Sequence, residues 1–409
     1  MQKADKLNIL RDLVEINTVN GNEVKAAKYL QSLLKRYGID SQLIDLGNHQ
    51  ANLVVEYGNG QKPVLAVSGH MDTVAVNEEM WSTNPFELVI KDDVMMGSGV
   101  TDMKGGLAAI VIALIEIKEA DVKIDGTIRL LITAGEEVGM NGSYSLQSQG
   151  YMDDVDALLI TEPTGYRIVR ANKGEVDFLV TSTGKEAHSS RPNLGINAIQ
   201  NLMDVLEEAK QVISTRAEQN ASEVLGQTTY TVDVFNGGIQ INAIPDSAKA
   251  AINTRIVPNY DNQQVIDDFN QIVDDFNQTH DGKINLKILM NIAPVVAKPD
   301  SKLIKKLLAI ATPYMKKTRY SSDEVKMGQE MMVKQGFNPF ATDQITVMSA
   351  AGGTDASELL SQKLNGANYA VFGPGNPMKM HQNNESASLQ MWLDFIEIYK
   401  KLFSQYFVN

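Results

Sequence analysis

The chain has 409 residues, 43% of them hydrophobic and 21% charged, which is enough to bury a large core and excludes a fibrous or wholly disordered protein. Thirty-seven Lys and Arg against fifty Asp and Glu give a net charge of -13, a field that repels nucleic acid and anionic lipid, so neither is expected as a partner. There is no cysteine, which removes disulfides, thiolate nucleophiles and Cys-held zinc, and leaves His and carboxylate as the groups able to hold a metal.

The N-terminal MQKADKLNILRDL lacks the apolar segment and small-residue cleavage site of a secretory signal. The longest unbroken apolar run, Leu107 to Ile115, is far short of the ~20 residues of a membrane span, so the cytoplasm is the expected location. Over the first ~170 residues helical and strand patterns alternate. Val24, Ala27, Leu30, Leu33 and Leu34 recur at helical spacing, as do Leu107, Ile110, Val111, Leu114 and Ile117. PVLAVSG, GTIRLLITAG and VDALLIT are short apolar runs stopped by Gly or polar residues. This reads as α/β with a mostly parallel, buried sheet flanked by helices.

From Gly174 the order becomes strand, helix, two strands, helix, strand, ending at KINLKIL. That βαββαβ order is ferredoxin-like and predicts an inserted α+β domain over 174–292, interrupting a catalytic domain of 1–173 and 293–409. Its acidic pairs Glu207–Glu208 and Asp267–Asp268 read as solvated helix faces. The methionine pairs Met95–Met96 and Met331–Met332 read as gap-filling core or loop residues. The last helix carries an apolar stripe of Leu389, Trp392, Leu393, Ile396 and Tyr399, expected to pack on the first sheet.

Five histidines exist, at 49, 70, 188, 280 and 381; His49 and His280 have no motif around them. His70 and Asp72 follow the strand PVLAVSG, so the imidazole emerges at a strand's carboxyl end with a carboxylate two residues on; a turn histidine and a solvated aspartate fit equally. Asp102, in GSGVTDMKGG, stands where an aspartate is commonly a helix N-cap. Glu136 and Glu137 follow GTIRLLITAG; on an extended chain they point to opposite sides, so that one can bind a metal while the other handles protons, although a charged loop pair is common. Glu162 ends VDALLIT, and His381 follows YAVFG and a Gly/Pro-rich loop. In an open α/β sheet the carboxyl ends of the strands share one crevice. Two histidines and three carboxylates gathered there suit two zinc-like ions, with the remaining glutamate as general base.

The segments SGHMDTV, GSGVTDMKGG, TAGEEVG, LLITEPTG and MHQNNE resemble, in order and spacing, the zinc-dependent metallohydrolases that include acetylornithine deacetylase, succinyl-diaminopimelate desuccinylase, aminoacylase and glutamate carboxypeptidase. The resemblance implies that His70 and Glu162 hold one zinc, Glu137 and His381 the other, and Asp102 bridges them, with cobalt or manganese as substitutes. It further implies that Asp72 orients His70, that Glu136 is the general base, and that the peptide Asp102–Met103 is cis. GKEAHSSRPNLGINAI, FNGGIQINAIP and NTRIVP resemble the family's lid and dimerisation segments, which makes His188 an oxyanion donor, Asn242 a substrate contact, Arg255 the clamp on a substrate carboxylate, and the protein a homodimer. AAGGTDAS resembles its substrate loop, with Gly353 and Thr354 as contacts.

The implied reaction is hydrolysis of an amide in an N-acyl amino acid, a succinyl or acetyl derivative, or in a short peptide. Glu136 takes a proton from the attacking water and returns it to the leaving amine. Ser98 stands where the family often has arginine, and GGTDA lacks the extra serine of the commoner GGTSDA; both departures touch the substrate's surroundings. Two readings from other classes are a non-catalytic metal-dependent binding protein and a nucleotide-binding oxidoreductase. Against the latter, GSGVTD has two glycines of a dinucleotide loop and no third at the required offset.

Overall fold

The computed structural model describes residues 1–315, 326, 329–330 and 344–408. Met331 and Met332 lie outside the described residues. No described helix is long and apolar enough to cross a membrane. Contacts divide the chain into two compact units: Met1–Arg170 with Val296–Met348 and Thr354–Asn409, and Ala171–Val295 with Ser349–Gly353. The divisions near 170 and 295 lie within a few residues of 173/174 and 292/293, and the short piece Ser349–Gly353 counts with the second unit.

The first unit is built on strands that are apolar and buried on both faces, Val64–His70, Thr127–Thr133 and Tyr369–Gly373, with Ala157–Pro163 nearly so. Strands that must be covered on both sides pair in parallel, as the continuous apolar runs predict. Six neighbouring strands of a ten-stranded sheet run in the order Ser41–Gly47, Gln50–Gly58, Thr127–Thr133, Val64–His70, Ala157–Pro163, Tyr369–Gly373; the last four are mutually parallel and the first two are antiparallel. Register decides what these strands can present. His70 lies opposite Thr133, and Gly373 opposite Pro163, so four carboxyl ends finish at one level.

The helix Lys104–Glu119 is buried from Lys104 to Ile117, so its stripe is one side of an element covered all round. Its start admits only glycine: a Cβ on Gly105 would stand 2.2 Å from the Val100 carbonyl oxygen, and one on Gly106 2.3 Å from that of Thr161. The helix Leu389–Gln405 packs chiefly on this helix, with the Trp392 Nε1–H donating to the Gly105 carbonyl at 2.9 Å. It also reaches the sheet through Phe395 against Phe372 and the Tyr399 hydroxyl on the Phe372 carbonyl, 2.7 Å. The expected stripe is thus shifted: Leu393 is half-buried, whereas Phe395 and Ile398 are fully buried.

The second unit has the sheet order Thr229–Gly237, Ser247–Ile256, Gly174–Thr183, Lys283–Ile292, antiparallel throughout. The helices Ala198–Gln219 and Asn262–Thr279 cover one face, where Val176, Phe178 and Val180 alternate inward and meet Leu202, Val205 and Phe269. The Asp267–Asp268 face is not wholly solvated: Asp268 accepts from the Tyr260 hydroxyl and pairs with Arg216 at 3.0 Å, since a buried phenol needs an acceptor.

In the first unit one carboxylate gathers three helices. Glu116 of Lys104–Glu119 binds the N-terminal ammonium (3.1 Å), Lys6 (2.8 Å) and Lys400 (3.0 Å). Despite burial, these cations hold its carboxyl well down, at about 2 against an ordinary 4.5. A depressed acid stabilises the fold above its unfolded pKa and ceases to do so as pH falls through the folded value. Glu116→Gln should therefore cost an amount between the ~0–1 kcal/mol of an exposed pair and the ~3–5 kcal/mol of a buried one at pH 7. The melting-temperature gap to wild type should close between about pH 4.5 and 2; a gap independent of pH would overturn this account.

Candidate metal centre

His70 and Glu162 sit at strand ends of the first unit and Glu136 and Glu137 just beyond one, whereas Asp102 lies in the turn before the helix Lys104–Glu119 and His381 in the loop after the strand Tyr369–Gly373. His70 is the last residue of its strand and 1% exposed. Its Nδ1 meets the Asp72 carbonyl oxygen at 2.9 Å, which directs Nε2 at Asp102 Oδ1 (3.2 Å) and Glu162 Oε1 (3.3 Å). His381, held at φ 54, directs its Nε2 at Asp102 Oδ2 (3.2 Å) and Glu137 Oε1 (3.1 Å). Asp102 therefore faces a different histidine with each of its two oxygens, and each histidine also meets a different glutamate. It caps nothing: the N-cap of Lys104–Glu119 is Met103, with no side-chain cap bond, and the peptide Asp102–Met103 is cis.

Glu136 and Glu137 differ from the expectation of opposite directions on an extended chain. They lie in a turn, and donor atoms of His70, Glu136 and Glu137 come within 4.8 Å of one another. The cause is Asp72, whose Oδ1 accepts the N–H groups of Gly135 (3.0 Å) and Glu136 (3.2 Å) and whose Oδ2 accepts that of Glu137 (3.0 Å). Three bonds to one fully buried carboxylate curl the chain as it leaves the strand. Asp72 thus steadies His70 mainly through its main-chain carbonyl, its Oδ1 being 3.5 Å from Nδ1, while its carboxylate shapes the loop of the two glutamates.

The electrostatics follow from crowding carboxylates in a buried place. Burial, with Asp102 and Glu137 nearby, pushes Glu162 up to about 8. Burial also raises Glu136 well above the ordinary range, with Glu162, Asp355 and Glu137 adding to it. Hydrogen bonds to Asp102 and Glu137 lift His381 to about 10. Burial would lower His70, but Glu162 and Asp102 outweigh it and raise the imidazole; both histidines in turn hold Asp102 low against its burial.

A divalent cation fits this donor set. Four protein donor pairs lie 3.1–3.3 Å apart, and donors about 2.0–2.1 Å from a tetrahedral ion stand about 3.3 Å from one another. One proton on His70 Nε2 cannot serve two carboxylates well, whereas a cation can. Imidazole and carboxylate without sulfur suit zinc, cobalt or manganese.

The residues expected to meet substrate occupy other surroundings. In the second unit, exposed His188 lies opposite Ala243 in a short antiparallel pair, and the Ser189 N–H donates to the Asn242 carbonyl at 3.1 Å, which makes His188 and Asn242 neighbours. Arg255 is a cross-strand neighbour of Glu175, and its Nη1 pairs with that carboxylate at 2.5 Å. Gly353 is half-buried in the second unit. Thr354, in the first, is buried and accepts the Ala356 N–H at 3.3 Å. Sequence reasoning left two residues unassigned. Asp355 takes the Thr133 hydroxyl at 2.5 Å at the end of the strand before Glu136. Glu385 is buried beside Asp102, and its place four residues after His381 was the available signal.

The family model "Peptidase family M20/M25/M40" matches residues 66–342. A "Probable succinyl-diaminopimelate desuccinylase" of Staphylococcus aureus is 38% identical, over 99% of this chain and 98% of its own length. An "Acetylornithine deacetylase" of Buchnera aphidicola is 30% identical, over 74% of this chain and 81% of its own. The crystal structure of a metallo-carboxypeptidase of the M20 family from Sulfolobus solfataricus shares the fold over the whole of both chains, with a TM-score of 0.75 at 17% identity. The chain belongs to the peptidase family M20/M25/M40, metal-dependent enzymes that act on amide bonds.

Proposed function

We propose that the protein is a two-zinc amidohydrolase that removes the succinyl group from an N-succinyl diamino acid. Asp102 carries the two-metal part of this reading: each of its oxygens lies beside a different histidine, and each of those histidines meets a different glutamate. His70 and Glu162 would hold one ion and Glu137 and His381 the other, with Asp102 common to both. When bound, the ions supply Lewis acidity, polarising the amide carbonyl and making water acidic.

Proton transfer falls to Glu136. Its carboxyl is raised by burial and by neighbouring carboxylates, so it can hold a proton taken from water long enough to deliver it to the leaving nitrogen. Asp72 keeps this glutamate within reach by holding its backbone N–H. A Glu136→Gln protein should keep two equivalents of zinc by elemental analysis while kcat falls about 10²–10⁴-fold. Retained metal with near-normal turnover would remove Glu136 from the base role.

The succinyl preference is supported by the full-length likeness to the staphylococcal desuccinylase. Acetylornithine is the nearer alternative and a di- or tripeptide the next, the latter favoured by the carboxypeptidase likeness in fold. His188 as oxyanion donor, Asn242, Gly353 and Thr354 as contacts, and Arg255 as carboxylate clamp rest on their sequence motifs. Side-by-side turnover should give N-succinyl-diaminopimelate a kcat/KM at least tenfold above acetylornithine and a dipeptide panel, with Arg255→Ala raising KM for it. Faster cleavage of dipeptides would make the protein a peptidase instead.

We also assign it a homodimeric state and a cytoplasmic location, the latter open to cell fractionation. The edge strand Thr229–Gly237 leaves Val232, Val234 and Phe235 exposed along a rim that is unpaired among the described residues, a surface that a second copy would cover. The double variant Val232→Lys, Val234→Lys should sediment as a monomer where the wild type sediments as a dimer; a monomeric wild type would discard this assembly.

A further inference from the structure

Glu385 follows His381 by four residues and leads directly into the strand Ser386–Ser388, which pairs antiparallel with Val94–Met96. Its side chain is 5% exposed, and every bond its carboxylate makes runs to one turn far away in sequence. Oε2 accepts the Gly99 N–H at 2.8 Å, and Oε1 accepts those of Thr101 at 2.7 Å and Asp102 at 2.9 Å. The main chain adds the Gly97 N–H on the Glu385 carbonyl at 3.3 Å and the Thr101 hydroxyl on the Ser386 carbonyl at 2.8 Å. The turn 97–102 is therefore shaped around one carboxylate, and the residue at its end is Asp102.

We infer that Glu385 is a positioning residue that sets both oxygens of Asp102 at once and ties them to the chain segment bearing His381. A swing of the Asp102 backbone would carry its two oxygens away from His70 and His381 together, and the bond from its own N–H to Glu385 opposes that swing. The side chain must be a carboxylate. Three N–H donors converge on it, and a carboxylate presents acceptors on both oxygens, whereas a glutamine in the same place would set its own N–H groups against one of the three. Another buried carboxylate of the centre, Asp72, captures three N–H groups in the same way and shapes the loop of Glu136 and Glu137. Glu385 does for the bridging ligand and His381 what Asp72 does for the glutamates. This inference rests on the two-metal reading of the site.

The test compares Glu385→Gln, Glu385→Asp and Asp102→Ala in the full-length protein. It measures zinc affinity by competition with a chromogenic chelator, the visible spectrum of the cobalt-substituted protein, and melting of the metal-stripped protein. For Glu385→Gln, zinc affinity should fall about 10–100-fold, as for other partners that orient a metal ligand, with an altered cobalt spectrum and metal-free melting close to wild type. Glu385→Asp keeps the charge and shortens the reach by one methylene, so it should recover part of the affinity; should the glutamine variant not fold, a weakened affinity is read from the aspartate variant instead. Wild-type zinc affinity and cobalt spectrum in the Glu385 variants, while Asp102→Ala loses metal, would overturn the inference alone. Two tightly held ions in Asp102→Ala would overturn the two-metal reading beneath it.

Discussion

Two buried carboxylates, each saturated by three backbone N–H groups, organise the centre. A carboxylate taken out of water must find donors, and backbone amides that belong to irregular loops must find acceptors. Asp72 and Glu385 solve both problems at once. Asp72 fixes the exit from the strand Thr127–Thr133, and Glu385 fixes the turn that enters the helix Lys104–Glu119. The loops at the strand ends are shaped by these bonds, and the side chains that face the metal positions follow from the loop shapes.

That arrangement explains how so many acidic groups tolerate proximity. Glu136, Glu162, Glu137 and Asp102 crowd around two imidazoles, and their burial and mutual repulsion drive Glu136 and Glu162 toward the neutral form. Left to itself such a cluster would relax by spreading apart. It cannot spread, because the backbone of each loop is held to a buried carboxylate and the start of Lys104–Glu119 is locked by Gly105 and Gly106 against neighbouring carbonyls. Carboxylates held this close around two imidazoles favour a cation among them. The same rigidity keeps the Glu136 carboxylate within 4.8 Å of donor atoms of His70 and Glu137.

Much of this was legible in the sequence because it follows from periodicity and from strand ends. Apolar runs stopped by glycine or polar residues marked the parallel strands, and the shared level of their carboxyl ends followed from the α/β pattern. The four-stranded order of the second unit was visible in its βαββαβ texture. What was not legible depended on partners distant in sequence. Nothing near Asp268 announces Arg216, and nothing near Glu136 says that Asp72 bends its loop into a turn. Glu385 stands within the MHQNNE segment with no role readable there, because its partners are backbone amides some 285 residues away that carry no side-chain signature.

The division of labour also bears on substrate choice. Relatives named for a desuccinylase and a deacetylase match this chain over most of their length, and a carboxypeptidase shares its fold. A cage defined by backbone bonds to buried carboxylates is indifferent to which amide is cut, so discrimination must come from groups outside it. The carboxylate clamp proposed at Arg255 carries one condition of this kind. Its guanidinium is already paired with Glu175, itself partly buried and pushed up in pKa by that burial. A ligand carboxylate taken up by this arginine competes with an internal one, so it must offer better geometry or more contacts to be held. On that proposal such a pair would penalise weak anions and favour those that match the planar guanidinium, giving Glu175 as well as Arg255 a part in specificity.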